Sequence, residues 1–343
     1  MQVKLSDLCN ITMGQSPKSI YYNKEGSGIP FMQGCTTFGR LFPSIDTWTT
    51  SYNKLANPND ILFTVRAPVG DINIALTNIA IGRGLAALKP TSVSTKYLYY
   101  LLLSNKELFT NNSSGTVYDS INKYNLENTI LNVHSYSNQL LIVDTVGSLD
   151  DKIENNNKII IKLEELLNLK FKNIYNDALK TGITINLNDI VNLKTGKKDA
   201  NAANENGIYP FFTCSEKESN IDVYSFNQEA ILIAGNGNMS VKYFNGKFDA
   251  YQRTYVISSS KYFYYLYLYY KNFIGNISVG AKGSVIKFLT KSMLLDIDLP
   301  ILDNITMQRF ESDIQKILNY ELRLSEENKK LSLLKEKYLK RFF

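Results

Sequence analysis

Histidine occurs once in these 343 residues, cysteine three times and proline eight times. Each scarcity removes a class of chemistry. Cys9, Cys35 and Cys214 are scattered and odd in number, so they suggest neither a disulfide framework nor a zinc site, and a cytoplasmic, reducing location fits them. The single histidine, His134, has no cysteine or carboxylate motif beside it and precedes a helical stretch, which favours packing or solvent exposure over catalysis. No GxSxG, HExxH or P-loop pattern occurs. Nor is there an Asn/Asp-Pro-Pro-Tyr/Phe motif of the amino-methyltransferase type. Gly82-Arg83-Gly84 lacks the third glycine and the following helix of a phosphate fingerprint. Long apolar runs are missing as well. Tyr262–Tyr270 is short and tyrosine-heavy, so no membrane span is expected, and MQVKLSDLCNI lacks a signal peptide's apolar core. Neither charge sign dominates: 38 Lys and Arg against 32 Asp and Glu leave +6, which permits a polyanionic partner without demanding one.

What the chain does have is a repeated helical stretch. Gln139–Tyr175 and Gln308–Phe343 both open on Gln, carry apolar residues at helical spacing, pass through an Asn- and Glu-rich middle and end rich in Leu, Lys and Phe. Leu149, Ile153, Asn156, Ile160, Leu163 and Leu167 step by four and three, the a/d spacing of a coiled coil. Ile317, Leu324 and Leu331 continue this in the second copy, and Asn156 and Asn328 interrupt the two seams, a device that fixes register at some cost in stability. Neither stretch contains proline, and a helix of this length spans roughly 55 Å. Two ordinary amphipathic helices would share the period. The repetition favours two long antiparallel helices packed together as a spacer.

Between the helical stretches the chain reads as strands and turns, twice. Lys4–Ile11 opens the first half as a short helix or strand, and Asn186–Leu193 opens the second. Gly28–Phe31 is echoed by Gly207–Phe211, Asp60–Thr64 by Ala230–Ala234, the Lys96–Leu103 part of a helix read over Lys96–Leu108 by Tyr262–Tyr270, and the loop Gly115–Ile121 by Gly280–Ile286. Ile79–Leu88 reads as one strand in which Gly82 and Gly84 admit a close approach of backbone or ligand. Leu126–Val133 and Leu294–Pro300 read as the segments feeding the long helices. The expected class is α+β, with two pseudo-two-fold-related globular halves, 1–138 and 181–304, a central helix 139–180 and a C-terminal helix 305–343. A two-fold arrangement matches two half-sites on duplex DNA, and loops that have diverged imply half-sites that differ.

The same residues resemble the specificity subunits of type I restriction-modification systems. The resemblance covers nearly the whole chain: LSDLCNITMGQSP, GIPFMQG and NDILFTVRAPVGDINIALTNIAIGRGLAALKP in the first half, LDDKIE in the helix, and NLNDIVNLKTGK, YPFFTCS, AILIAGNG and DAYQRTYVI in the second half. The chain departs from the family where proline commonly precedes the helix Gln; Asn132-Val133-His134-Ser135 stands there. The resemblance implies a non-catalytic subunit whose two target recognition domains read a bipartite, asymmetric DNA sequence. It further implies two methylation subunits using S-adenosylmethionine and restriction subunits using ATP and magnesium, with no cofactor or metal in this chain.

DNA contact calls for Lys, Arg and backbone amides at phosphates and for Arg, Lys, Asn and Gln at base edges. The loops offer Lys18, Tyr21, Tyr22, Lys24, Thr36, Arg40, Arg66 and Lys123 in the first half. They offer Lys194, Lys197, Lys198, Ser215, Lys217, Asn236, Asn238, Lys242, Arg253, Lys282 and Lys287 in the second. The Gly-rich Gly115–Ser120 and Gly280–Ser284 are further candidates for phosphates. Any one lysine could equally be a solvated surface charge, and Arg66 and Arg83 could instead hold turns. Asp150-Asp151 and Glu164-Glu165 are expected on a solvated helix surface. Lys329, Lys330, Lys335, Lys337, Lys340 and Arg341 make the last helix basic, for DNA, an acidic partner or solvent. The open alternatives are a specificity subunit for a methyltransferase-nuclease fusion, a coiled-coil scaffold without DNA affinity, and an autonomous enzyme.

Overall fold

A computed structural model of the chain describes residues 1–110, 120–277 and 288–343. The first half runs β1 (Gln2–Lys4), α1 (Leu5–Leu8), β2 (Cys9–Met13), β3 (Tyr22–Asn23), β4 (Ile29–Met32), β5 (Trp48–Thr49), β6 (Leu55–Ala56), β7 (Ile61–Thr64), β8 (Ile72–Ile74), β9 (Ile79–Ile81) and β10 (Leu85–Pro90). It continues with α2 (Thr95–Ser104), α3 (Glu107–Thr110), α4 (Lys123–Glu127) and β11 (Ile130–Asn132), and enters the long helix α5 (Tyr136–Thr181). The second half runs β12 (Thr184–Asn186), α6 (Leu187–Ile190), β13 (Val191–Thr195), β14 (Tyr209–Phe212), β15 (Ser219–Ile221), β16 (Phe226–Ala234), β17 (Val241–Ala250) and β18 (Thr254–Ser259). Then come α7 (Phe263–Ile277), α8 (Lys291–Leu295), β19 (Asp298–Pro300) and α9 (Asn304–Phe342).

Two compact units emerge: unit 1 is Met1–Asn156 with Glu326–Phe343, and unit 2 is Asn157–Ser325. Each long helix therefore contributes a segment to both units, where the sequence suggested helices separate from the recognition domains. In unit 1 the strand order β2-β10-β7-β8 forms one sheet, and β3-β5-β4-β9-β6 another. In unit 2 the order β13-β18-β16-β17-β14-β15 joins the equivalent parts into one sheet. Each unit has an equivalent parallel strand pair, β4 with β9 and β14 with β17. The short pairs β1-β11 and β12-β19 sit at equivalent places in the two topologies.

The duplication is legible at single hydrogen bonds. Gly14 N donates to Leu85 O (2.8 Å) as Gly196 N does to Thr254 O (3.2 Å), and Val65 N donates to Gly84 O (2.9 Å) as Gly235 N does to Arg253 O (2.8 Å). Gly82 N to Met32 O (2.8 Å) matches Tyr251 N to Phe212 O (2.9 Å), and Ile121 N to Val65 O (2.9 Å) matches Leu289 N to Gly235 O (2.8 Å). This network equates Arg66 with Asn236, Arg83 with Gln252, and Gly84 with Arg253.

Burial follows the periodicities. Ile61, Leu62 and Phe63 of β7 are fully enclosed, and α2 is buried along Tyr97–Leu102. Ser94 caps α2 by accepting from Tyr97 N (3.3 Å), which satisfies one of the first-turn amides. In unit 1, α5 buries Ile142, Val146, Ile153 and Asn156. Asp150 and Asn156 of α5 meet Lys335 and Asn328 of α9, so the two segments run antiparallel there. In unit 2, Leu167, Phe171 and Ile174 of α5 share a core with Met307, Phe310, Ile314 and Leu318 of α9. Of the proposed seam, Ile153, Asn156, Leu167 and Leu324 are buried, whereas Leu149, Ile160, Leu163, Ile317, Asn328 and Leu331 are half-buried.

Several local expectations are corrected. Ile79–Leu88 is two strands, because the chain turns at Gly82–Gly84. Leu126–Val133 is the end of a short helix followed by β11, since Asn122 caps α4 by accepting from Asn125 N (2.8 Å). The Lys96–Leu108 helix ends at Ser104, where Asn105 turns its amide Nδ2 back to Leu101 O (2.8 Å) and α3 starts anew. The long helices begin at Tyr136 and Asn304. Asp150 is not a solvated surface charge: it is 1% exposed, and Lys335 is 8% exposed. His134, by contrast, takes the packed one of its two expected placements, with Nδ1 2.9 Å from Tyr97 Oη and Nε2 2.9 Å from Phe342 O. Among the described residues no helix is long and apolar enough to cross a membrane.

Candidate nucleic-acid interface

The equivalent turns of the two units carry the exposed cationic and amide side chains. In unit 1 the residues after β4, β7 and β9 line one cleft: Gln33, Gly34, Cys35, Thr64, Arg66, Ala67, Arg83 and Gly84. Arg66 and Arg83 are exposed, and among the described residues neither guanidinium has an ion-pair or hydrogen-bond partner. Backbone contacts hold the positions themselves: Arg66 forms an antiparallel bridge with Ser120, and Arg83 N donates to Ser16 Oγ (3.1 Å). Gly84 is required where it stands, since a Cβ there would lie 2.2 Å from Gln33 O. Its close neighbour is therefore backbone, and this contact brings Gln33 beside the arginines. An adjoining cleft shares Gln33 and Gly34 and adds Tyr22, Phe31, Thr36, Thr37, Asp46 and Thr47.

Unit 2 builds the same place from different side chains. Thr195, Gly235, Gln252, Arg253 and Tyr255 line a cleft closed by Phe288 and Leu289. Asn236 makes the bridge to Phe288 that Arg66 makes to Ser120. A second cleft shares Thr195 and gathers Lys194, Lys197, Asn227, Gln228 and Lys291 around about 510 Å³. Three ammonium groups and two amides around one concavity suit a phosphate chain passing over base edges. Gly196 sits beneath, where a Cβ would fall 1.9 Å from Ala250 O.

The structure distributes the sequence candidates unevenly. Thr36 and Arg66 line the unit 1 clefts; in unit 2, Asn236 and Arg253 lie at the corresponding turns, and Lys194 of β13 and Lys197 line the second cleft. Lys18, Tyr21 and Lys24 are exposed on the segment leading through β3, and Ser215 and Lys217 on the turn after β14. Lys198 is half-buried and bridges to Tyr251. Others have structural occupations. Tyr22 stacks on Phe31 with centroids 4.5 Å apart and donates to Pro17 O (2.9 Å). Lys242 Nζ donates to Ser215 O (3.2 Å) and Glu216 O (2.9 Å), and Asn238 Nδ2 is hydrogen-bonded to Glu216. Lys123 pairs with Glu127 on α4 at 3.4 Å. Arg40 is the clearest correction: its guanidinium is turned inward and pairs with Asp150 at 2.7 Å, because that buried carboxylate needs a cation. Lys282, Lys287, Gly280–Ser284 and positions 115–119 lie outside the described residues.

Gln33, Gln252 and Lys291 escaped the sequence reading, and Arg83 was read only as a possible turn-holder. Their one signal is position after a strand of the repeat, which becomes specific only when the two copies are aligned by their backbone hydrogen bonds. Among the described residues, no cluster of three or more His, Cys, Asp or Glu is arranged to hold a metal ion.

Two similar units, each with a polar turn cluster at one place in its sheet, define a duplicated recognition protein. A family model described as type I restriction modification DNA specificity domain matches residues 1–165 and 183–334, and the chain belongs to that family. The type I restriction enzyme EcoDI specificity subunit of Escherichia coli is 42% identical over 122 residues, covering 34% of this chain and 27% of that protein. The protein assigned as the MjaX specificity subunit of Methanocaldococcus jannaschii is 40% identical over 146 residues, covering 42% of this chain and 34% of that one. This chain thus spans about a third or less of the length of these two relatives. A crystal structure of the type I restriction-modification S subunit from M. genitalium superposes with a TM-score of 0.68 at 18% identity, over 100% of this chain and 96% of the other, and shows the shared fold.

Proposed function

We propose that this chain is the sequence-reading subunit of a type I restriction-modification assembly, acting in the cytoplasm on double-stranded DNA. Unit 1 reads one part of a split target and unit 2 the other. The observation that carries this is the pair of equivalent turns with unequal side chains: Arg66 and Arg83 with Gln33 in one unit, and Asn236, Gln252 and Arg253 in the other. Arginine pairs bidentately with guanine, and Asn or Gln with adenine, in the major groove. Different donors at equivalent positions suit an asymmetric target.

In this reading two methylation subunits dock on the helices and recognition domains and bring S-adenosylmethionine. Restriction subunits add ATP- and magnesium-dependent cleavage. The chain itself supplies binding and spacing, and no bond-making group. The exposed Ile161, Leu166 and Leu169 of α5 in unit 2 give a docking partner apolar surface. The test is methylome sequencing of the host with and without the gene. Loss of methylation at one split motif is expected. Unchanged methylation while the chain is expressed and co-purifies with a methyltransferase would overturn the reading.

A further inference from the structure

The turn that follows β4 is tied to the helix pair by a buried ion cluster. It carries Gln33 and Thr36 into the clefts, then passes through Gly39, Arg40 and Leu41. Those three residues are anchored from three elements. Asn73 of β8 clasps Gly39, accepting from its N–H (3.0 Å) and donating to its carbonyl (3.0 Å). Tyr99 of α2 donates to Arg40 O (3.0 Å). Arg40 Nη2 reaches Asp150 of α5 at 2.7 Å. Asp150 in turn accepts from Tyr100 Oη (2.7 Å) and from Lys335 Nζ of α9 (2.8 and 2.9 Å).

Arg40 Nη1 is buried with no hydrogen-bond partner among the described residues. Asp150 is therefore what holds this guanidinium inward, and the pair is a directional link rather than a general polar contact. The corresponding turn of unit 2, after Phe212, is held differently, by Lys242 of the neighbouring strand at Ser215 O and Glu216 O. Buried ion pairs are often dispensable for stability yet can select one arrangement over others.

We propose that Arg40 is a positioning residue for DNA reading by unit 1: its pair with Asp150 ties the turn bearing Gln33 and Thr36 to α5. This rests on the functional reading above. It makes recognition of one half-site, and not the other, depend on a contact far from any base.

The test uses the chain in complex with its methylation subunits. Sequencing of methylated sites gives the motif, and exchanging residues 1–138 for those of a relative shows which half-site unit 1 reads. Arg40→Met removes the link, while Asp150 keeps Lys335 as its cation. Discrimination at the unit 1 half-site is expected to fall about tenfold, the order of one weakened base contact, with the unit 2 half-site unchanged. Arg40→Lys keeps the charge without the planar fork and is expected to fall between; it also serves if Arg40→Met does not fold. Lys335→Met perturbs the same cluster but preserves the Arg40–Asp150 pair, so both half-sites should stay intact. Equal relaxation of both half-sites by Arg40→Met, no relaxation at all, or equal relaxation of the unit 1 half-site by Lys335→Met would each overturn the proposal. A wild-type complex that methylates no split motif would instead refute the functional reading itself.

Discussion

Asp150 is the most consequential single side chain in unit 1. It is enclosed and serves two cations and a tyrosine hydroxyl. Asp150→Asn leaves Arg40 and Lys335 without a counter-charge, and should lower unfolding stability by about 3 kcal/mol, read as a drop in the urea midpoint. Lys335 differs. Burial, opposed by Asp150, lowers its pKa from the ordinary 10.5. A depressed lysine pKa means the charged form is penalised in the fold. At neutral pH that penalty is fully present, and it is relieved only as pH rises toward 10.5. Lys335→Met should therefore leave the urea midpoint unchanged or raise it. Cys9 gives a second check. It is 1% exposed, and burial pushes its thiol up to about 12. Native protein at mildly alkaline pH should resist alkylation at Cys9 while the half-buried Cys214 reacts. Peptide mapping of the labelled protein reads both at once, and rapid labelling of Cys9 would contradict its placement.

At the scale of elements, the two units stabilise equivalent helices by different means. In unit 1, α2 is capped by its own Ser94. In unit 2, Glu311 of α9 accepts from Tyr264 N (3.0 Å) and Tyr265 N (2.8 Å) at the start of α7. Burial raises the Glu311 pKa above the usual 4.5, although those amides oppose the shift. A raised carboxyl pKa favours the protonated form in the fold. Its contribution is complete below 4.5 and is lost as pH rises through the folded value. Glu311→Gln does not titrate, so it should flatten the fall in urea midpoint as pH rises above 4.5; identical slopes would exclude Glu311 as the source. The helix seam contains a comparable compromise. Asn156 is 1% exposed and donates to Glu327 (2.8 Å) and Asn328 (2.9 Å), while its Oδ1 is buried without a partner among the described residues. Asn156→Leu should raise stability by about 1 kcal/mol and leave the helix register less strictly specified. A lower urea midpoint would show the asparagine to be net stabilising.

For the whole molecule, duplication with divergence is the organising fact. Equivalent backbone networks keep two turns in equivalent places, and only the side chains presented there differ. Arg66→Ala should relax one half-site by about 1–3 kcal/mol, and Asn236→Ala the other, as read from the methylated motif. Binding of the assembled complex to its target should weaken about 10³-fold between 50 and 200 mM salt if some six phosphates are engaged. A flat response would favour a scaffold without DNA affinity.

The sequence alone determined the duplication, the two long helices, the α+β class and the family, because strands, turns and helical seams are written as local periodicities that recur in order. It also marked Arg66, Asn236 and Arg253 as candidates, since each reads as a loop position with a side chain that suits phosphate or base contact. Only the tertiary structure decided which charges point outward. Asp150, Lys335 and Arg40 look like surface groups in a linear reading, yet one carboxylate on α5 draws in a cation from α9 and another from a loop more than a hundred residues earlier. Gln33 and Gln252 line the candidate clefts for the same reason. Their positions come from backbone bonds between distant strands, and no local pattern encodes those.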